Sequence, residues 1–491
     1  MKTIYKYTCL VIILLYCMLP LPGCRKFIEV DPPVTSVNEG NVYADNSTAA
    51  AALTGIYSKM ANSSFSLDLT VLPELAADNL ALFNLDKINY TAYYQNILQP
   101  SDPSTVPRPW LSIYPFAFNA NAAIKGLTES NILTKVVKQN LLGEAYFLRA
   151  FYYFYLVNLY GDVPLALSTD YTVNNKLSRI PTSQVYAQII ADAKQAQTLL
   201  SDNYLKSDAF TAYATGEEER IRPNRSTAIA LLARVYLYQK DWANAEQMAT
   251  EVINKATLYS TTALNQVFLK NSKETIWALQ PVKDNLNTDE GNLFTLRTGE
   301  PEINTGRIIY LSEDFMDSFQ SGDQRKNTWT GVQSSGTKPY PYAAKYKAIE
   351  GSDLGQEYTI VFRLAEQYLI RAEAKIEQNR VTEGIADLNV LRDRAIDKNA
   401  DIDEQLKLLP TTLSKAEALT SLSYERRFEL FCEWGHRWFD LKRTGQLDAV
   451  MTVATTLKGG GVWKPYRALL PVPAEEIRLN SSLSQNAGYT N

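Results

Sequence analysis

A mainly α-helical fold, with long irregular loops and a few short strands, is predicted by three observations. Apolar residues recur at steps of three and four through much of the chain. Two segments repeat one helix–break–helix plan. Two other stretches lack any such period and are rich in small polar and aromatic residues.

The chain begins with Lys2 and Lys6 and then the apolar run LVIILLYCMLPLPGC, ending at Cys24. A basic start, a short apolar run and a small-residue end make residues 1–23 a secretory signal, too short to span a bilayer. A cysteine after Leu-Pro-Gly resembles a lipobox, so Cys24 is the expected lipidation site, each buried acyl methylene adding about 0.8 kcal/mol of membrane affinity. Residues 24–40 read as an extended tether, because Pro32 and Pro33 favour open backbone.

Helices follow. Trp110, Ile113, Ala117, Ala120, Ile124 and Leu127 form one apolar ladder, with Pro115 expected in its first turn and Trp110 in the core. Leu141, Ala145, Leu148, Tyr152, Tyr155 and Leu159 make an amphipathic helix that Gly161 and Pro164 end. Another starts at Pro181-Thr182 and turns Tyr186, Ile189, Ala193, Ala196 and Leu200 inward.

The repeated plan occupies 230–253 and 368–391, with breaks at Lys240-Asp241 and Asn379-Arg380. Ala233, Ala245 and Ala249 in the first pair, and Ala372, Ala374 and Ala386 in the second, allow close helix approach. That is the logic of tetratricopeptide-like hairpins, which bury their faces by stacking on neighbours. Residues 61–109 and 281–360 are the irregular stretches. In the second, TIWALQP, GRIIYL, YAAKYKAI and YTIVFRL have strand composition. The organisation expected is an N-terminal region over 41–220, a helix pair over 221–260 and a C-terminal region over 261–491.

Composition narrows function. The full chain carries a net charge of −4, and Lys2 and Lys6 leave with the signal, making the mature chain more acidic. With no basic run, nucleic-acid and electrostatic membrane binding are disfavoured. Cys9 and Cys17 also leave with the signal and Cys24 is taken by lipid. Cys432 then stands alone, and no internal disulfide is available.

Cys432 and the single histidine, His436, lie in ERRFELFCEWGHRWFDLKRTG at 425–445. Read as one helix, this stretch aligns Glu429, Cys432, Glu433, His436 and Asp440 on a face. Glu429 and Asp440 would then lie about 16 Å apart along the axis, too far to share an ion. Tyr424, Phe428, Phe431 and Trp438 read as core, and Arg426, Arg427, Arg437, Lys442 and Arg443 balance the acids at helical pair distances. The stretch is expected to be structural, with no metal and no cofactor. No nucleophile elbow or phosphate-binding glycine loop occurs. A carboxylate pair for glycoside hydrolysis has no motif to locate it, and stays open as an alternative.

Binding is the remaining reading. The chain has 30 Tyr against 17 Phe and 7 Trp, and the irregular stretches mix such rings with amides and carboxylates. Flat rings stack on sugar faces while amides and carboxylates bond hydroxyls, and the same mixture grips peptides. Phe83, Tyr90, Tyr93, Tyr94, Trp329, Tyr340 and Tyr342 are candidates among the rings. The ligand-binding set expected is Asp78, Asn79, Phe83, Tyr93, Tyr94 and Trp329.

Five segments together resemble the SusD/RagB lipoproteins: GEAYFLRAFYYFYLVNLYGDVPLAL, RPNRSTAIALLARVYLYQKDWANAEQMATEVI, YTIVFRLAEQYLIRAEA, ERRFELFCEWGHRWFDLKRTG and LLPVPAEEIRLNSSLSQNAGY. The resemblance runs from about residue 24 to the end. It implies a SusD-like scaffold of four tetratricopeptide-like hairpins under elaborated loops, in an outer-membrane lipoprotein anchored at Cys24 and exposed at the surface of Bacteroidetes-type bacteria. It also implies a non-catalytic role: capturing an oligosaccharide and delivering it to a SusC-like TonB-dependent transporter, with peptide as the RagB-type alternative. Arg25-Lys26 after the cysteine depart from the acidic residues that often accompany surface export.

Overall fold

In the computed structural model, residues 42–101, 108–282, 287–348 and 355–490 are described. The signal segment, the tether and Cys24 lie outside them. The helices are α1 (Asn46–Asn62), α2 (Phe65–Ala76), α3 (Ile88–Tyr94), α4 (Arg108–Glu129), α5 (Lys135–Tyr160), α6 (Thr182–Leu199), α7 (Arg225–Tyr238), α8 (Trp242–Ile253), α9 (Leu364–Glu377), α10 (Val381–Arg394), α11 (Lys415–Leu430), α12 (His436–Arg443) and α13 (Leu447–Leu457), with several shorter turns of helix between them. Helices α4 to α10 form a continuous stack in which each packs on the next, and α11 closes the end against α9 and α10.

The hairpin breaks fall where the sequence places them. Lys240 and Asn379 adopt left-handed φ values of 57° and 64° between α7 and α8 and between α9 and α10. Asn224 caps α7 in a capping box with Thr227, and Asp241 caps α8 by accepting from the Asn244 amide. Ala233, Ala245, Ala249, Ala372 and Ala374 are buried, but Ala386 is exposed. Gly384 makes the close approach instead: a Cβ there would lie 2.5 Å from Ile376 Cγ1. Buried ion pairs clamp the stack across sequence. Arg234 grips both oxygens of Glu366 at 2.6 and 2.8 Å, joining α7 to α9, and Arg149 does the same to Asp192 between α5 and α6.

Three expectations change. Helix α5 is buried on every side from Phe147 to Tyr160, so it is the central rod of the core and not amphipathic there. It does end at Gly161, with φ 74°. Helix α4 begins at Arg108, which moves Pro115 beyond the first turn; Trp110 is buried and its amide donates to the Tyr160 hydroxyl at 2.8 Å. The described part of the stretch 61–109 is not all irregular but holds two helices, α2 and α3. Nearly every residue of α2 is buried, the polar Ser66, Asp68, Thr70 and Glu74 included, so hydropathy does not separate an inner from an outer face.

Strands are short: β1 (Leu80–Leu82), β2 (Thr275–Leu279), β3 (Ile309–Leu311), β4 (Thr330–Ser335), β5 (Lys338–Ala343) and β6 (Thr359–Arg363), paired antiparallel as β1–β3, β2–β6 and β4–β5. TIWALQP, GRIIYL and YTIVFRL each hold a strand. YAAKYKAI gives only Tyr342 and Ala343 to a strand, because β5 ends there.

The stretch 425–445 is two helices, not one. Cys432, Trp434 and Gly435 take φ values of 55°, 45° and 71° between α11 and α12. Side chains of α2 take up the freed amides: Cys432 N donates to Glu74 and Trp434 N to Thr70. The Trp434 indole donates to the Ile360 carbonyl at 2.7 Å. Phe428, Phe431 and Trp438 are core, as expected, and Tyr424 is half-buried.

Charge pairing in this stretch is mostly tertiary. Glu425 meets Arg325 and Arg392; Glu429 meets Arg325, Arg363 and Arg394; Glu433 meets Arg363 and Lys345. Burial opposes the charge on Glu429, but the guanidinium groups of Arg394, Arg363 and Arg325 outweigh it and hold its carboxyl well below the usual range.

Candidate functional site

The loop after α2 turns Asp78 outward and Asn79 inward. Asp78 accepts two parallel bonds from Arg437, each 2.7 Å, and a third contact from Arg427 at 3.2 Å. Burial would raise its pKa, but these cations pull it down to about 2. Asn79 is fully buried and bridges charges, its amide donating to Glu74 at 2.7 Å while its carbonyl accepts from Arg427 at 2.9 Å.

Asp78 and Tyr94 line a cavity of about 400 Å³ with Ser312, Asp314, Arg427, Arg437 and the apolar flank of α13. Tyr94 is half-buried, and the Lys458 ammonium lies 4.9 Å from its ring centroid. Lys458 is itself held by the carbonyls of Leu75 and Ala77 at the end of α2. Burial pushes the Tyr94 phenol up, and Tyr310 adds to this. A separate aromatic group is built on the β1–β3 pair and β5, with Tyr310 edge-on to Tyr340 at 5.4 Å and Tyr340 edge-on to Phe83 at 5.6 Å. The β1–β3 pairing sets this group, because it brings Phe83 beside the strand that carries Tyr310.

Of the residues expected to bind ligand, the fold therefore brings Asp78 and Tyr94 to one cavity and places Phe83 in the separate aromatic group. Tyr93 is on the same short helix as Tyr94 but buried, so it supports the wall from behind. Trp329 is elsewhere and is no loop residue. It ends the short helix Gln324–Trp329, is fully buried, and donates from Nε1 to the Leu264 carbonyl at 2.9 Å. Its ring lies against three buried cations, Lys345, Arg394 and Arg363, at 4.9, 5.7 and 5.9 Å. Its environment is that of the ionic core.

Arg427, Arg437, Lys458 and Tyr310 escaped sequence reasoning. The two arginines looked like partners for acids on their own helix, and nothing in their spacing points to Asp78. Tyr310 does carry a signal, a tyrosine within the strand-like run GRIIYL.

A second cavity, of about 520 Å³, opens between α7–α8, α9, α11 and α12, and Arg427, Arg437 and Val450 line both. The reactive-looking pair of the sequence lies in the core. Burial pushes the Cys432 thiol well up, and burial plus nearby arginines holds His436 neutral. Among the described residues, no three His, Cys, Asp or Glu side chains gather as a metal site.

The model described as "Starch-binding associating with outer membrane" matches residues 26–237, and that of the SusD family matches residues 312–489. SusD-like protein P25 of Formosa agariphila is 24% identical, with 96% of each chain covered. The starch-binding protein SusD of Bacteroides thetaiotaomicron is 24% identical over 74% of each. Among solved structures, surface glycan-binding protein A from Bacteroides thetaiotaomicron, in complex with laminarihexaose, superposes with a TM-score of 0.73 at 16% identity, covering 90% of this chain and 99% of that one.

Proposed function

The chain belongs to the SusD/RagB family, and on that premise we propose that it is a non-catalytic surface lipoprotein that binds oligosaccharide. The observation that carries this reading is the 400 Å³ cavity, where a half-buried ring, Tyr94, and the charged Asp78–Arg437–Arg427 group share one wall. A sugar laid on the ring face would offer its hydroxyls to the charged edge. Asp78 and Tyr94 touch the ligand in this reading, and Asn79 and Tyr93 hold the wall in place. The name of the starch-binding relative and the laminarihexaose complex of the structural neighbour support a glycan as cargo.

Binding without cleavage fits the charge state of the cavity. A glycosidase needs one carboxyl kept protonated near neutral pH, and Asp78, held ionised by its arginines, does not supply it. The cargo is released unaltered to a SusC-like TonB-dependent transporter, with the lipoprotein tethered to the outer membrane through Cys24. Titration calorimetry of the lipid-free chain against maltohexaose, laminarihexaose and a peptide panel tests the reading. The expected result is glycan binding that Tyr94→Ala weakens by at least about tenfold without lowering the melting temperature. Peptide binding with no glycan binding, or shortened glycans after incubation, would replace it with the RagB-type or hydrolase alternative. Co-purification of a barrel protein with the lipidated chain tests the delivery step.

A further inference from the structure

The 520 Å³ cavity has a different chemistry from the first. Two part-buried rings, Tyr238 and Trp242, stand at the break between α7 and α8. Opposite them lie the charged side chains of α9, α11 and α12. The carboxylates in this wall are already matched. Asp440 accepts from Arg426 Nε at 2.7 Å and from Arg443 Nε at 2.8 Å; Glu373 accepts from Arg443 Nη2 at 2.8 Å; Glu377 meets Lys415 at 2.7 Å.

The cations are not all matched. Arg426 is only 3% exposed, and among the described residues its Nη1 and Nη2 groups have no hydrogen-bond partner; closed to solvent as they stand, they meet an occupant once the side chain turns toward the cavity. Buried guanidinium donors left unbonded are costly, and such a group calls for an occupant that supplies acceptors. Lys240, held at the rim by its left-handed backbone, has no ion pair among the described residues.

We infer that this cavity is a second saccharide site selective for an acidic sugar, a uronate whose ring stacks on Trp242, beside Tyr238, and whose carboxylate is taken by Arg426 and Lys240. The inference rests on the reading of the protein as a glycan binder and adds the class of glycan. A planar carboxylate fits a guanidinium edge with two free nitrogens better than a sugar hydroxyl does. Trp242 offers a flat ring that favours a sugar over the flexible acidic side chain of a peptide, while Tyr238 is packed on Phe154 at 4.9 Å. Because Arg427, Arg437 and Val450 wall both cavities, one mixed glycan can place a neutral unit in the first and an acidic unit in the second.

Calorimetry of the lipid-free chain with oligogalacturonate, beside laminarihexaose and maltohexaose, tests this. Oligogalacturonate is expected to bind wild type and to weaken as salt rises. Trp242→Ala, Arg426→Gln and Lys240→Glu are each expected to weaken it by at least about tenfold while leaving neutral-glycan binding intact, and Tyr94→Ala is expected to spare it. Arg426→Gln removes a buried partner of Asp440, so its fold is checked by circular dichroism; Lys240 is exposed, and its variant carries the test if that one unfolds. Neutral glycans binding while oligogalacturonate does not, or binding indifferent to Lys240→Glu and Trp242→Ala, would overturn this inference alone. A poly-glutamate peptide displacing oligogalacturonate and binding more tightly would overturn the saccharide assignment. No glycan binding of either kind would overturn the glycan reading itself.

Discussion

Arg437 closes a two-pronged clasp on Asp78 across 359 residues of sequence, with both bonds at 2.7 Å. The clasp joins the loop after α2 to the first turn of α12, and so couples one wall of the candidate site to the C-terminal helices. Because the Asp78 pKa is lowered from 3.8 to about 2, its contribution is present above the unfolded value and is lost as pH falls through the folded one. Asp78→Asn is expected to cost roughly 2 kcal/mol at pH 7. The difference should shrink between pH 4 and pH 2, which denaturant melts at several pH values would show.

Glu74, beneath the same loop, behaves in the opposite sense. Burial raises its carboxyl from 4.5 to about 7, against the bonds from Asn79 and the Cys432 amide. An acid raised in the folded state binds more protons there than when unfolded, so stability falls as pH rises from 4.5 through 7. Glu74→Gln should gain up to about 3 kcal/mol relative to wild type at pH 8.5 and little at pH 4.5. Equal effects at both pH values would refute this.

Gly435 sits at φ 71°, and a Cβ there would lie 2.9 Å from the Pro73 Cβ. Gly435→Ala combines left-handed strain with overpacking against α2, and is expected to cost about 2–4 kcal/mol. The readout is the denaturation midpoint of the purified variant.

Glu429 and Trp329 belong to one buried assembly of charges and ring. Glu429→Gln leaves Arg325, Arg363 and Arg394 short of a counter-charge, and is expected to destabilise by about 3–5 kcal/mol. Trp329→Phe keeps an aromatic face toward the cations but loses the bond to the Leu264 carbonyl, for about 1–3 kcal/mol. Trp329→Phe should leave glycan affinity unchanged; a loss of affinity without loss of stability would return Trp329 to the ligand.

Local signals located much of the scaffold. The breaks at Lys240 and Asn379, the stop at Gly161 and three of four strand-like runs stand where residue chemistry places them, because each depends on neighbours within a few positions. Helix α2 was not legible, since its polar residues Ser66, Asp68, Thr70 and Glu74 are buried along with the apolar ones and mark no solvent face. The turn inside 425–445 was not legible either: nothing within that stretch breaks a helix before Gly435, and the backbone departs at Cys432 because Glu74 and Thr70, more than 350 residues earlier, receive its amides.

The sequence by itself determined a helical hairpin scaffold, a membership read from five ordered segments, and a region between Asp78 and Tyr94 rich in binding-type side chains. Periodicity, caps and segment order are short-range or additive properties, so they survive in one dimension. Only the tertiary structure decided which of those side chains meet, setting Asp78 against Arg437 and Arg427, Tyr340 between Tyr310 and Phe83, and sinking Trp329 among arginines. A site is a set of distances between residues remote in sequence, and those distances exist only once the core has packed.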